Sequence, residues 1–360
     1  MKVLIITLIP SPHLYEIHNT FAHHPEVELE IFYELRKSPR RDWGEYIPDC
    51  KHTILKSRQL LGVSSLVDFD LRCQLEKTDA DIVIIGTSPW SLNTWITKRW
   101  TQRHSIPYVV FSEPPNQTRS SLNRIVKKII GERLLKDAVG FVGVTKKTCE
   151  IISKLYNFNK PHLVLPYYSD LKDFTSPPCR SFQNKITRFL FLGEITYNKR
   201  LDLVINALKK VQNPFELHVV GDGELREELE IQATNISYGK VAFHGKVAYT
   251  EVHSVLANTD FLILPSNYDG FGMVVVEALA AGVPVIASES VMSAVEFVEN
   301  GKNGWLFKQG NVDELRNAID LAINSKNHWP QMSINARESL KDYDATKISK
   351  EFYIFLQGLI

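Results

Sequence analysis

Short apolar runs alternate with stretches of helical spacing along the whole chain, and this rhythm narrows the fold more than any other feature. In the first half the runs are KVLIITL (2–8), VELEIFY (27–33), DIVIIG (81–86), PYVVFS (107–112), GFVGVT (140–145) and HLVLP (162–166). In the second half they are RFLFLG (188–193), FELHVVG (215–221), VAFHG (241–245), DFLILPS (260–266), PVIAS (284–288) and WLF (305–307). Strands that are apolar nearly throughout must be covered on both faces, and strands alternating with helices form parallel sheets. The expected class is α/β, with two Rossmann-like doubly wound domains in tandem. A length of 360 residues is too great for one ordinary core and suits two.

The segment SDLKDFTSPPCRSFQNK (169–185) is polar and carries Pro177-Pro178, so it reads as a linker. The expected organisation is an N-terminal domain over 1–168, a linker over 169–185, a second domain over 186–340 and a terminal helix over 341–360. KISKEFYIFLQGLI gives that last helix an apolar face, whose docking place the sequence leaves open. Open sheets of this kind bind ligands beyond the carboxyl ends of their strands, which points to a cleft between facing domains.

Charge and cysteine usage exclude several classes. A formal net charge of +1 offers no global attraction for nucleic acid. Cys50, Cys73, Cys149 and Cys179 lie far apart without a C-x-x-C pair, which argues against zinc and against a disulfide framework, and fits a reducing cytosol. MKVLIITLIP is too short an apolar run for a secretory signal and is interrupted by Ser11-Pro12-His13; no stretch approaches the roughly 20 apolar residues that span a bilayer. A cytoplasmic protein is expected, at most attached to a membrane surface.

The loop after the first strand, IPSPHLYEIHN, has no glycine, so a nicotinamide dehydrogenase is not expected there. No G-x-x-x-x-G-K-[ST] occurs, which removes the P-loop enzymes. Gly221-Asp222-Gly223 lies between a strand and a helix, where a tight turn explains it as well as ligand contact does. The stretch LPSNYDGFGMVVVEALAAG runs strand, polar turn, glycines, helix. Gly270 and Gly272 permit close backbone approach, and the first amides of a helix beginning near Phe271 suit a phosphate. Asp269 then lies in the loop and Glu277 in the second turn, so the two carboxylates do not share a helical face. On local grounds alone Asp269 could cap the helix and Glu277 could be a partly exposed charge.

Residues 188–320 resemble the donor-binding domain of the retaining glycosyltransferases of family 4, which have the GT-B fold. The matching elements, in order, are RFLFLGEITYNKRLDLVINAL, FELHVVGDGELREELE, VAFHGKV with LANTDFLILPS, and Asp269-x7-Glu277 followed by ALAAGVPVIAS. The resemblance implies a nucleotide-diphosphate sugar as donor, UDP-linked first and GDP-mannose second, with no metal and no separate cofactor. By the same resemblance Glu277 accepts hydrogen bonds from the ribose hydroxyls, and the amides of Phe271, Gly272, Met273 and Val274 face diphosphate or sugar. Asp269 contacts the transferring sugar, Lys199 balances the growing phosphate charge, and Val247 offers a backbone contact to the base.

The chain also departs from the pattern. Glu194 stands where the family has an arginine, leaving Arg200 as a possible replacement cation. Asp269 is a methylene shorter than the usual glutamate. The N-terminal loop lacks the family's glycine pair. Ser112-Glu113-Pro114 occupies the place of a family histidine, which makes Glu113 a candidate for a sugar or acceptor contact, with a structural role as the alternative. The implied reaction is hexose transfer with retention to a hydroxyl of a glycan or glycolipid, in surface-polysaccharide assembly. The alternatives are a GT-B epimerase or phosphorylase, or a catalytically silent nucleotide-sugar binder or assembly subunit.

SLNRIVKKIIGERLLKDAVG (121–140) sets Ile125, Val126, Ile129, Ile130, Leu134 and Leu135 against Arg124, Lys127, Lys128, Arg133 and Lys136. Two readings are open. The helix lies on an anionic membrane, or its apolar stripe faces its own sheet and the lysines are ordinary solvated charges.

Overall fold

The computed structural model describes residues 1–37, 46–60, 65–116, 121–175 and 186–360. Pro177-Pro178 and Cys179 of the expected linker lie outside the described residues. The chain divides into two compact units, Met1–Ser169 with Tyr343–Ile360, and Asp170–Asp342.

The first unit carries β1 (Lys2–Thr7), β2 (Glu28–Tyr33), β3 (Lys51–Ile54), β4 (Arg58–Gln59), β5 (Leu66–Val67), β6 (Ile82–Gly86), β7 (Tyr108–Ser112), β8 (Gly140–Gly143) and β9 (His162–Val164). Seven of them form a parallel sheet in the order β3-β2-β1-β6-β7-β8-β9, and β4 and β5 make a small antiparallel ladder of their own. In β1 the side chains alternate between two cores. Leu4 and Ile6 join Phe32, Val83 and Ile85 on one face, while Val3 and Ile5 join Ile31, Ile82 and Ile84 on the other. That two-sided burial is why the run shows no apolar–polar alternation.

All the strands expected from the apolar runs are present. Three strands were missed, β3 and the two-residue β4 and β5; in β3 Lys51 and His52 are exposed, as suits an edge strand, where charge discourages pairing with another chain.

The terminal helix, Ala345–Gln357, starts at Asp344, whose carboxylate accepts from the Lys347 amide at 2.8 Å. It buries Ile348, Phe352 and Leu356 with Ile17 and Phe21 of the helix Pro12–Ala22; the Phe21 and Phe352 rings are 4.8 Å apart. Tyr353 donates to Glu26 at 2.6 Å, and Tyr343 to the Tyr167 carbonyl. The last residues thus complete the core of the first unit, a question the sequence left open.

The second unit carries β10 (Thr187–Leu192), β11 (Phe215–Val220), β12 (Gly239–Gly245), β13 (Phe261–Leu264), β14 (Val285–Ser288) and β15 (Gly304–Phe307). All pair in parallel in the order β12-β11-β10-β13-β14-β15. The core is aromatic, with Phe189, Phe191, Phe215, Phe261 and Trp329 fully buried. The order reverses between β10 and β13. Loops leaving the carboxyl ends of these two strands must part there, and the opening between them is where such sheets bind ligands.

Candidate functional site

Two loops border that opening: 193–200 after β10 and 265–272 after β13. Asparagines tie them together. The Asn267 amide donates to the Asn198 carbonyl at 2.7 Å, Asn198 Nδ2 to the Tyr268 carbonyl at 2.8 Å, and Asn267 Nδ2 to the Tyr197 carbonyl at 3.0 Å. Across this seam Lys199 Nζ lies 2.5 Å from Asp269 Oδ2, with both side chains 18 % exposed. The two are 70 residues apart in sequence, so nothing local in the chain announces the pair.

Asp269 is not a helix cap. The helix Met273–Ala280 has Gly272 as its N-cap, without a side-chain cap, and starts two residues later than the glycine pattern suggested. Gly272 has φ +93, and a Cβ there would stand 2.8 Å from Val291 Cγ1. Both the backbone and the space therefore require glycine. Ser293 holds the turn in place, its hydroxyl donating to the Gly272 carbonyl at 2.8 Å and its amide to the Phe271 carbonyl at 2.8 Å. Gly270 and the Phe271 ring are buried beneath the turn, while Gly272, Met273 and Val274 remain partly exposed. The Met273 and Val274 amides, in the first turn of the helix, have no intrahelical acceptor. That leaves donors and a partial positive charge at the opening.

Glu277 follows in the second turn of an otherwise apolar helix. It is 5 % exposed, not the solvated charge that local reasoning allowed. Its Oε1 accepts from Tyr249 Oη at 3.0 Å. Burial pushes the carboxyl up to about 7, and the Tyr249 hydrogen bond works in the opposite direction. Tyr249 belongs to a short 3-10 turn, Tyr249–Glu251, after β12, two residues beyond half-buried Val247. It is the functional candidate that sequence reasoning missed. An exposed tyrosine in a polar loop carries no signal until the fold brings it to a carboxylate 28 residues away.

The other expected residues fall as follows. Arg200, the candidate replacement cation, already has partners. It adopts φ +57 and its guanidinium is engaged by Asp202, with Nε and Nη2 each at 2.9 Å, and by Asn267 at 3.2 Å. Glu194 is exposed in the β10 loop. Beside it Gly193 has φ +156, and a Cβ there would meet nothing within 4 Å, so the loop leaves open space at the end of β10. The Gly221-Asp222-Gly223 turn packs on that loop: a Cβ on Gly221 would stand 1.9 Å from the Gly193 carbonyl oxygen, and one on Gly223 2.4 Å from that of Ile195. Close packing of two backbones accounts for both glycines. Glu113 lies in the first unit, where Tyr167 donates to its Oε1 at 2.9 Å. Among the described residues no group of three or more His, Cys, Asp or Glu is arranged to hold a metal ion.

Residues 180–339 match the family model of the group 1 glycosyl transferases. The chain is 32 % identical over 158 residues to an uncharacterized glycosyltransferase of Methanocaldococcus jannaschii, covering 44 % of each sequence. It is 28 % identical over 159 residues to a lipopolysaccharide 1,6-galactosyltransferase of Salmonella typhimurium, covering 42 % of each. These matches span less than half the length of either relative. Along its whole length the structure resembles sucrose-phosphate synthase from Thermosynechococcus elongatus, with a TM-score of 0.77, 16 % identity, and 100 % of this chain and 99 % of that one covered. The fold is GT-B. The structure of HepE from Anabaena in complex with UDP superimposes with a TM-score of 0.73 at 18 % identity, covering 99 % of this chain and 100 % of that one.

Proposed function

We propose that this GT-B protein is a retaining glycosyltransferase that moves a hexose from a UDP-sugar to a hydroxyl of a glycan or glycolipid. The observation that carries the reading is the set of groups at the strand-order reversal of the second unit. A buried carboxylate, a helix N-terminus behind a tight glycine turn and a lysine–aspartate pair surround one opening. An extended nucleotide-diphosphate sugar needs each of them. Glu277 receives the two ribose hydroxyls, the second of its oxygens taking what Tyr249 leaves available, and an ionised carboxylate suits that paired geometry. The Gly272, Met273 and Val274 amides receive the diphosphate or sugar hydroxyls. Lys199 neutralises the charge that develops on the leaving phosphate, and Asp269 orients both Lys199 and the sugar. Val247 meets the base.

In the reaction, the bond from the anomeric carbon to the phosphate oxygen breaks as the acceptor oxygen attacks from the same face. The departing phosphate takes the acceptor's proton, so the step needs no enzyme carboxylate as nucleophile. A UDP-linked donor draws support from the UDP-bound relative of the same fold, and a surface-glycan acceptor from the lipopolysaccharide galactosyltransferase.

A thermal-shift panel of UDP- and GDP-sugars, with wild type and Glu277→Ala, tests the reading. We expect stabilisation by a UDP-sugar that Glu277→Ala abolishes. Stabilisation by GDP-mannose alone would reassign the nucleotide, and a donor shift that survives the substitution would refute the ribose role. Glu194, the acidic residue in the β10 loop, favours a second reading: a nucleotide-sugar binder without turnover. Donor stabilisation with no release of UDP over a panel of acceptors would establish it.

A further inference from the structure

The edge strand β12 departs from regular pairing at one residue. It pairs with β11 residue for residue from Phe215 with Gly239 to Val219 with Phe243, after which Val220 meets Gly245. His244 is therefore the extra residue of a β-bulge, a device that re-aims a side chain at a sheet edge. Its ring lies against His218 of β11. His218 Nδ1 is 3.0 Å from His244 Nε2, with the ring planes 20° apart and the centroids separated by 5.2 Å.

The pair stands on the side of the sheet away from the aromatic core. Phe215, Leu217 and Val219 belong to that core, so Glu216 and His218, at the alternate positions, point to the opposite side. Glu216 Oε2 lies 3.7 Å from His218 Nε2, the second ring nitrogen. A carboxylate there keeps the imidazole proton on Nε2 and leaves the Nδ1 lone pair directed at His244. Burial first, and then the neighbouring His244, hold the His218 imidazole below its ordinary value; Glu216 opposes them and Arg188 reinforces them. His218 is thus neutral at pH 7, and His244 is open to solvent. Arg188 is itself matched by Asp260 at 3.1 Å, and Lys240 stands opposite Glu216 in the register.

Two imidazoles placed in this way can share a proton or a metal ion. We propose that His218 and His244 form a two-nitrogen site for a divalent transition-metal ion, with Glu216 as its outer partner and water in the remaining positions. Imidazole suits Cu2+, Ni2+ and Zn2+, whereas Mg2+ and Ca2+ require oxygen ligands. Bonds of about 2.0–2.1 Å to nitrogens 3.0 Å apart subtend about 95° at the ion. That angle is close to the right angle of tetragonal Cu2+ and Ni2+ and narrower than the tetrahedral angle of Zn2+. His244 donates from Nε2 in the hydrogen bond; to bind the ion its ring tilts and takes the other tautomer, with the proton on Nδ1, so that two lone pairs face the metal. Among the described residues no group of three His, Cys, Asp or Glu closes around an ion, so this one stays open to exchange. It ties the carboxyl end of the edge strand to its neighbour. Val247 and Tyr249 follow within five residues of His244, so the tie bears on the loop that carries Tyr249 to Glu277.

Isothermal titration of the untagged full chain with NiCl2 and CuCl2 at neutral pH tests the proposal, without nucleotide sugar, so that its outcome stands apart from that of the donor panel. Wild type is expected to bind both ions and to ignore MgCl2. His218→Gln and His244→Gln should each weaken binding at least about tenfold, because losing one of two chelating nitrogens removes the intramolecular second bond. Glu216→Gln should weaken it about tenfold through the orientation of His218, and Lys240→Gln, which removes a cation from the same face, should not. Nickel should raise the melting temperature of wild type and leave both histidine variants unchanged. Equal affinity in wild type and both histidine variants would overturn the proposal, as would a wild type that binds neither ion. Should either histidine variant fail to fold, the carboxylate decides: undiminished binding in Glu216→Gln would overturn the site as described.

Discussion

At Glu277 burial and function pull against each other. The carboxyl ordinarily titrates at 4.5 and here at about 7. Between those values the folded state therefore binds more protons than the unfolded state, and stability falls as pH rises through this window. The shift corresponds to about 3 kcal/mol, levelling off above pH 7. Urea unfolding from pH 5 to 8 should show wild type losing roughly that much while Glu277→Gln stays nearly flat; parallel curves would mean the group is not buried as described. Ribose hydroxyls donating to the ionised carboxylate reverse the preference, so affinity for a UDP-sugar should rise with pH toward 7 in wild type and not in Glu277→Gln, by isothermal titration. At Lys199 the expectation concerns rate. Lys199→Ala should lower kcat about 10²–10³-fold with a smaller change in KM, as for other groups that stabilise charge developing in the transition state. A change in KM alone would make Lys199 a ground-state contact.

Among the elements, the glycine turns have different physical reasons, which the residue pattern could not separate. Gly221→Ala drives a methyl into the Gly193 carbonyl, 1.9 Å from the ideal Cβ, so two loops must part. Gly193→Ala meets no atom within 4 Å and suffers only from φ +156. We expect about 1 kcal/mol for Gly193→Ala and at least about 2 kcal/mol for Gly221→Ala, read from chemical denaturation. Equal costs would mean the backbone contact can relax freely. The sequence left the G-D-G turn poised between loop geometry and ligand contact, because both need glycine; only the spacing to Gly193 and Ile195 separates them. The Asp269-x7-Glu277 spacing was more informative. It placed one carboxylate before a helix and the other within it, whereas the burial of Glu277 came from Tyr249 and the packing around the helix.

For the molecule as a whole, the path of the chain has a measurable consequence. Residues 343–360 belong to the first unit although they follow the second in sequence. Ending the chain at Asp342 removes Ile348, Phe352, Tyr353 and Leu356 from the first unit's core. Calorimetry should then show the transition of the first unit lowered or lost, and stabilisation of the second by a UDP-sugar retained. Loss of both would mean that the second unit does not fold apart from the first. The twelve apolar runs determined two parallel sheets, because a strand buried on both faces must be apolar at every position whatever its partners are. The glycine and carboxylate spacing determined which strand ends to examine, because turn and helix-start chemistry is local. Tertiary structure alone decided that Lys199 meets Asp269 and that Tyr249 meets Glu277. Each pair joins residues from distant points of the chain and is not encoded in the neighbours of either residue.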